Sequence, residues 1–264
     1  MNLILLTLLA SVIGLVIGSF INVVVFRTHA GESWVKGRSK CQSCLEPIAA
    51  VDLVPVMSFF ALKGRCRHCS SVIEWQYPAV ELVMGILFGL LYARAALGIG
   101  IPAFVDPSEV FALFVRDVTV ASFLVIIFVY DFKYSYILDR FTLPAMVLAL
   151  MFNVLLGADV WSLLLGGLLI GGFFAIQFLI SNGKWIGGGD IRLGMLMGFL
   201  LGAEIGLLAL FLSYLFGAIV GIYLVAMKKR ALDSHVPFGT FLAFGTLIAM
   251  IWGEQLLAWY VGMM

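Results

Sequence analysis

NLILLTLLASVIGLVIGSFINVVVF, residues 2–26, carries no charged side chain until Arg27 closes it. About 20 apolar residues are what a helix needs to cross the hydrocarbon core of a bilayer. The run lacks a basic leading segment and a small-residue cleavage site, so it reads as a retained helix and not a signal peptide. Runs of the same kind return at roughly 78–98, 113–132, 142–158, 160–181, 191–203, 205–227 and 239–261. The weakest boundary separates the sixth from the seventh, near Glu204. The expectation is an all-α polytopic membrane protein with about eight transmembrane helices. Composition agrees, with 63% hydrophobic and 12% charged residues and a mean hydropathy of +1.12. Soluble domains run about 25% charged, and a chain with half that cannot clothe itself in water. A cytosolic globular enzyme, a disordered tail and a nucleic-acid binder are excluded. The net charge of +1 offers polyanions no basic field. The 28 glycines suit closely approaching membrane helices.

The first two runs flank a polar interval, 27–76, that holds all four cysteines. Cys41-Gln-Ser-Cys44 and Cys66-Arg-His-Cys69 are CxxC pairs with 21 residues between them. A two-residue gap lets one tight turn aim two thiolates at one ion, and two such turns complete a tetrahedron. A redox CxxC needs one pair, not two. The expectation is structural Zn2+ on Cys41, Cys44, Cys66 and Cys69, because four thiolates leave no open coordination position for catalysis. A segment of this size with few apolar residues needs such a staple. His29, His68 and His235 stand singly in polar stretches and read as solvated.

Basic residues set the orientation. With the N-terminus outside and 27–76 inside, fourteen of the sixteen Lys and Arg residues face the cytoplasm, the Lys228–Lys229–Arg230 cluster among them. Arg94 and Arg116 fall near the other face. Asp131, Asp139, Asp190 and the cysteines all come to the cytoplasmic side. The chain divides into a first transmembrane helix (1–26), a cytoplasmic zinc-binding four-cysteine domain (27–76) and a membrane-embedded domain of about seven helices (77–264).

Asp131 ends the third run, in Val129-Tyr130-Asp131, and Gly187-Gly188-Gly189-Asp190 opens the sixth. Ionisable groups at membrane depth are functional-site hypotheses by default. Two neighbouring carboxylates share a proton, so that one deprotonates a water while the other stays protonated, as in aspartic proteases. The three glycines remove side chains before Asp190, which lets an extended peptide approach. The bland alternatives are an N-terminal cap at Asp190 and ion pairing of Asp131 with Lys133 or Arg140. On the residues alone, catalysis and capping both remain open.

Further signals complete a pattern. The first run ends Gly18-Ser19-Phe20-Ile21-Asn22-Val23-Val24, the second opens Tyr77-Pro78-Ala79-Val80-Glu81, and Val236-Pro237-Phe238-Gly239 opens the last. With the cysteine doublets, Asp131 and the GxGD signature at Gly187–Asp190, this order resembles the bacterial type IV prepilin peptidases over nearly the whole chain. The resemblance implies an intramembrane aspartic protease, multi-pass in the bacterial inner membrane and embedded in its lipid. Such enzymes cleave the leader from prepilins and secretion pseudopilins at the cytoplasmic face, then N-methylate the new terminal residue, usually Phe, with S-adenosylmethionine. It maps the catalytic pair onto Asp131 and Asp190, makes Glu81 a candidate functional acid, and leaves Asp139 second choice, expected to cap the following helix. Three departures stand out. Gln42 replaces a usual Pro, Ile137-Leu138-Asp139 lacks the usual Pro, and Ile73-Glu74-Trp75-Gln76 precedes Tyr77 where Ser and Arg are common. The competing class is an ion-coupled transporter using the intramembrane acids. The chain lacks the internal repeat such carriers show, and its acids lie near one face rather than the midplane.

Overall fold

The computed structural model describes residues 2–227 and 237–263. The basic cluster 228–230, His235 and Val236 lie outside the described residues. The architecture is helical: α1 (Leu3–His29), α2 (Met57–Ala61), α3 (Gln76–Leu97), α4 (Val110–Tyr134), α5 (Asp139–Leu155), α6 (Val160–Ser181), α7 (Gly188–Ala226) and α8 (Phe238–Val261). Among the described residues the only β-pairing is two isolated bridges, Lys40 with Pro47 and Arg65 with Val72. The chain forms two compact units, 1–96 and 97–264.

Among the described residues six helices are long and apolar enough to cross a membrane: α1, α3, α4, α6, α7 and α8. This differs from the expected eight at two places. The fourth apolar run forms α5, which is only 17 residues long. The sixth and seventh runs are joined as the 39-residue α7, about 58 Å of helix if straight and roughly twice the hydrocarbon thickness. It is not straight. Gly202 has φ 72° and ψ −172°, a conformation essentially reserved for glycine. A Cβ on Gly206 would lie 3.7 Å from both the Gly198 Cα and the Met197 carbonyl. Residues eight apart in one helix stand about 12 Å apart, so the chain doubles back at Gly202 into a helical hairpin. The break near Glu204 is therefore real, and it is a reversal rather than a polar loop.

A reversal orphans backbone carbonyls, and in an apolar setting each must find a donor. Asn153 of α5, fully buried, meets this need. Its Nδ2 donates to the carbonyls of Phe199 and Leu200 at 2.8 Å each. Those groups would pair with residues 203 and 204 in an unbroken helix. Asn153 Oδ1 in turn accepts from Arg116 Nη1 (2.5 Å), and Arg116 pairs with Asp117 at 2.6 Å, all three residues being buried. The hairpin packs on α6 through small residues: a Cβ on Gly166 would stand 2.6 Å from the Gly202 carbonyl carbon. Its second arm packs antiparallel to α8, where Gly245 lies against the Ala209 carbonyl and Gly253 against Ile205.

In the first unit, α1 and α3 approach closely. A Cβ on Gly18 would stand 2.7 Å from the Glu81 Cα. Asn22 Nδ2 donates to the Tyr77 carbonyl (3.1 Å), and Phe26 stacks on Tyr77 with centroids 5.0 Å apart. The Gly18–Asn22 and Tyr77–Glu81 motifs are thus the two faces of one helix contact.

Candidate active site and candidate metal centre

Asp131 lies in the last turn of α4, which ends when Ser135 adopts the left-handed conformation and donates its N–H to the Asp131 carbonyl (2.7 Å). Helix α8 begins after Pro237, an N-cap whose side chain cannot accept a hydrogen bond. The N–H groups of its first turn therefore need an outside acceptor. Asp131 is that acceptor. Its Oδ2 takes the Thr240 N–H at 2.7 Å and the Thr240 hydroxyl at 3.1 Å. Thr240 is a site residue that the sequence reading missed. The available signal was the proline two residues after His235, which leaves a helix start uncapped.

Asp190 occupies the first turn of α7 and closes back on it, accepting the Gly187 N–H through Oδ2 at 2.9 Å. The capping reading is therefore realised in part. Each acid spends one oxygen on a helix N-terminus, and among the described residues neither Oδ1 takes part in a hydrogen bond. Both acids are buried, with 4% of Asp131 and 6% of Asp190 exposed, so neither is a solvated surface charge. Ile137 joins the two sites. A Cβ on Gly189 would stand 2.6 Å from the Ile137 Cβ, and one on Gly239 would meet the far end of the same side chain and, at 3.0 Å, Asp131 Oδ2. Across 59 residues of sequence the fold thus brings Asp131 and Asp190 within Coulombic reach of one another.

The three glycines are not equivalent. Gly189 is where Ile137 packs, Gly187 supplies the N–H that holds Asp190, and a Cβ on Gly188 would meet nothing within 4 Å. Asp139 stands apart from the pair. It is the first residue of α5 rather than its N-cap, which is Leu138, and it pairs with Arg192 at 2.6 Å on a half-exposed surface. This corrects the expected cap. An exposed ion pair of this kind contributes at most about 1 kcal/mol.

Glu81 is buried on α3 and accepts the Val56 N–H at 2.7 Å. Its second partner is the Ser19 hydroxyl of α1. The acid therefore ties the polar interval to the two helices that flank it.

The four cysteine sulfurs lie within 4.8 Å of one another, Cys41 and Cys69 at 3.9 Å. Sulfurs about 2.3 Å from a central zinc in a tetrahedron would stand about 3.8 Å apart, so the donor set fits a tetrahedral metal. Two matching turns build it. The Cys41 N–H donates to the Glu46 carbonyl and the Leu45 N–H to the Cys41 carbonyl. Cys66 with Ser71, and Ser70 with Cys66, repeat this 25 residues later. Leu45 (φ 62°) and Ser70 (φ 57°) take the left-handed position after each pair, a conformation costing roughly 1–2 kcal/mol that ligation would offset. Amide hydrogen bonds from Cys44 and Ser43 hold the Cys41 thiol down at about 6, with the Ser71 hydroxyl and Cys66 assisting. The Glu46 amide favours a Cys44 thiolate, but lost hydration and the Cys41 and Cys69 sulfurs outweigh it and push Cys44 up to about 12. The Ser71 hydroxyl and amide hold Cys69 down as well, and thiolates gathered this closely are ones a divalent cation would neutralise. His68 is exposed beside it, as expected.

A helical membrane protein with two buried acids brought together at helix ends has the layout of an intramembrane hydrolase. The comparisons with known proteins give the family. Residues 12–95 match the bacterial peptidase A24 N-terminal domain, and residues 118–222 match the type IV leader peptidase family. A prepilin leader peptidase/N-methyltransferase of Bacillus subtilis (strain 168) is 32% identical over 96% of this chain and 96% of its own length. Those of Aeromonas hydrophila (32% identical, 85% of this chain, 74% of the relative) and Pseudomonas putida (29%, 95% and 92%) are also similar. No solved structure matches. The chain belongs to the type IV leader peptidase family.

Proposed function

We propose that this protein cleaves the leader peptide from type IV prepilins and type II secretion pseudopilins at the cytoplasmic face of the bacterial inner membrane, and N-methylates the residue so exposed. Asp131 and Asp190 are the catalytic pair in this reading. The observation that carries it is their convergence: two buried carboxylates from α4 and α7, each pinned by backbone through one oxygen. Family membership supplies the reaction class.

The substrate's apolar stem lies in the bilayer like another helix, and its basic leader remains on the basic, cytoplasmic side. The N-terminus of the enzyme then lies outside. The scissile bond rests where stem meets leader, level with the acids. One carboxylate takes a proton from water as the oxygen attacks the peptide carbonyl, while the protonated partner hydrogen-bonds that carbonyl. Proton transfer to the departing nitrogen then breaks the C–N bond. The products are a free leader carboxylate and a new amine, with no covalent intermediate on the enzyme. The pair acts as one titrating unit.

Cys41, Cys44, Cys66 and Cys69 would hold Zn2+, which supplies rigidity to 27–76 and no chemistry, its coordination being complete. S-adenosylmethionine is the expected methyl donor. The described residues form no strand–glycine loop–helix cradle for its nucleotide part, so no step is drawn through it. An ion-coupled carrier is not favoured, since both acids are tied to helix ends by backbone donors.

The test is cleavage of a prepilin in detergent by the wild type and by Asp131→Asn, Asp190→Asn and Asp139→Asn. The amide oxygen of Asn still accepts from Thr240 or Gly187, so the fold persists while the carboxylate is gone. Losses of about 100-fold or more are expected for the first two, and near-normal cleavage for the third. Cleavage by all three at the wild-type rate would refute the assignment.

A further inference from the structure

The hairpin at Gly202 aligns more than its own two arms. Gly206 lies against Gly198 and Met197, and this register, continued down the arms, sets Tyr214 level with Asp190. On α6, Phe174 lies against Gly194, and Gly171 against the Ile191 carbonyl. That antiparallel register brings Gln177 to the same level. The side chains agree with the backbone alignment: Gln177 Nε2 donates to the Tyr214 hydroxyl oxygen at 3.4 Å, and the phenol lies within Coulombic reach of Asp190.

The Tyr214 ring is held on two sides. Its centroid is 4.9 Å from that of Phe238 and 6.1 Å from that of Phe173. Phe238 is the first residue of α8, two before the Thr240 that holds Asp131. Tyr214 is nevertheless 39% exposed, in contrast to the nearly covered Asp190, so its side chain is not sealed into the helix packing. A tyrosine hydroxyl has one proton and an oxygen that accepts. Gln177 uses the oxygen, which leaves the proton to be given elsewhere.

A peptide lying at membrane depth cannot leave its carbonyls unpaired, because no bulk water is there to bond them. Asp131 and Asp190 engage the scissile bond; the adjoining carbonyl still needs a donor. We infer that Tyr214, oriented by Gln177, is a substrate-binding residue whose hydroxyl donates to a backbone carbonyl of the extended peptide next to the bond cut at Asp131 and Asp190. This inference rests on the proposed function of that pair.

Tyr214→Phe keeps both ring contacts and removes only the hydroxyl. With a prepilin substrate in detergent, it is expected to lower kcat/KM about 10- to 100-fold, mostly through KM, at an unchanged unfolding temperature. Gln177→Leu is expected to lower it several-fold, and the double variant to be no worse than Tyr214→Phe, since both changes remove one shared interaction. Wild-type kcat/KM for Tyr214→Phe, or losses that multiply in the double variant, would overturn the inference. Asp131→Asn and Asp190→Asn are assayed beside them. If those are inactive and Tyr214→Phe is unaffected, only the role of Tyr214 falls; if those remain active, the dyad itself falls.

Discussion

Gly189→Ala and Gly188→Ala differ by one position, and the structure separates their effects. A methyl on Gly189 would sit 2.6 Å from the Ile137 Cβ, where ordinary contact begins near 3.4 Å. Ile137 is branched at that atom and buried, so no rotamer change relieves the clash. The loop after α4 must move by about 0.8 Å, and overpacking of this kind costs about 1–3 kcal/mol. The same side chain packs on Gly239, where an added Cβ would stand only 3.0 Å from Asp131 Oδ2, so the displacement is passed toward the acid on the far side. Misplacing a reacting group by about 1 Å costs on the order of 100-fold in rate. Gly188→Ala meets nothing within 4 Å in the enzyme, and an added methyl in a helical turn stabilises by about 0.5–1 kcal/mol. If the glycines exist to let a peptide backbone approach, that methyl obstructs the peptide instead. The assay is prepilin cleavage with kcat and KM resolved, alongside thermal unfolding in detergent. Gly189→Ala is expected to lose stability and kcat together, and Gly188→Ala to keep its stability while KM rises. Unchanged stability and activity in Gly189→Ala would refute the packing argument.

Gly202→Ala places a side chain where φ is 72° and ψ is −172°, which costs about 1–3 kcal/mol and should lower the unfolding temperature. Gly172→Ala in α6, whose methyl would meet nothing within 4 Å, is the matched control and should match or exceed the wild type. For the cysteine cluster, Cys41 is held down at about 6 and Cys44 up at about 12. At pH 7.5 the first is already a thiolate and the second still a thiol. Zn2+ titrated into weakly buffered metal-free protein should therefore release about one proton or more per ion. The depressed Cys41 thiol contributes stability that is complete above its unfolded value of 9.0 and lost as pH falls through about 6. Chelator extraction should accordingly quicken below pH 6. Metal uptake without proton release would count against thiolate ligation.

The helices, the gathering of the four cysteines and the positions of Asp131 and Asp190 at helix ends were legible in the sequence because each rests on local chemistry. A charge-free run such as 2–26 has few options but a membrane helix, and the tight turn of a CxxC pair converges its sulfurs wherever it folds. The apolar runs coincide with helices, but only six of those helices among the described residues are long and apolar enough to span a membrane. What local reading does not contain is the joint between the sixth and seventh. Glu204 is the polar interruption in the sequence, but the device is Gly202 two residues earlier, with Asn153 from α5 bonding the carbonyls that the turn releases. Nothing in the local pattern pairs residue 153 with 199 and 200.

The site divides in the same way. Sequence alone placed Asp131 at the end of one helix and Asp190 at the start of another, because each adjoins an abrupt change from apolar to polar residues. Only tertiary structure decided that Asp131 caps α8 through Thr240, 109 residues away, while Asp190 caps its own helix. It also removed Asp139 to a surface pair with Arg192 and gave Glu81 to the Val56 amide. The physical reason is one rule acting at two ranges. Helix formation follows from side chains within a few residues of each other, so composition and spacing reveal it. The partners of buried polar groups are settled by whichever helix ends the packing brings alongside, and that is a property of the assembled fold.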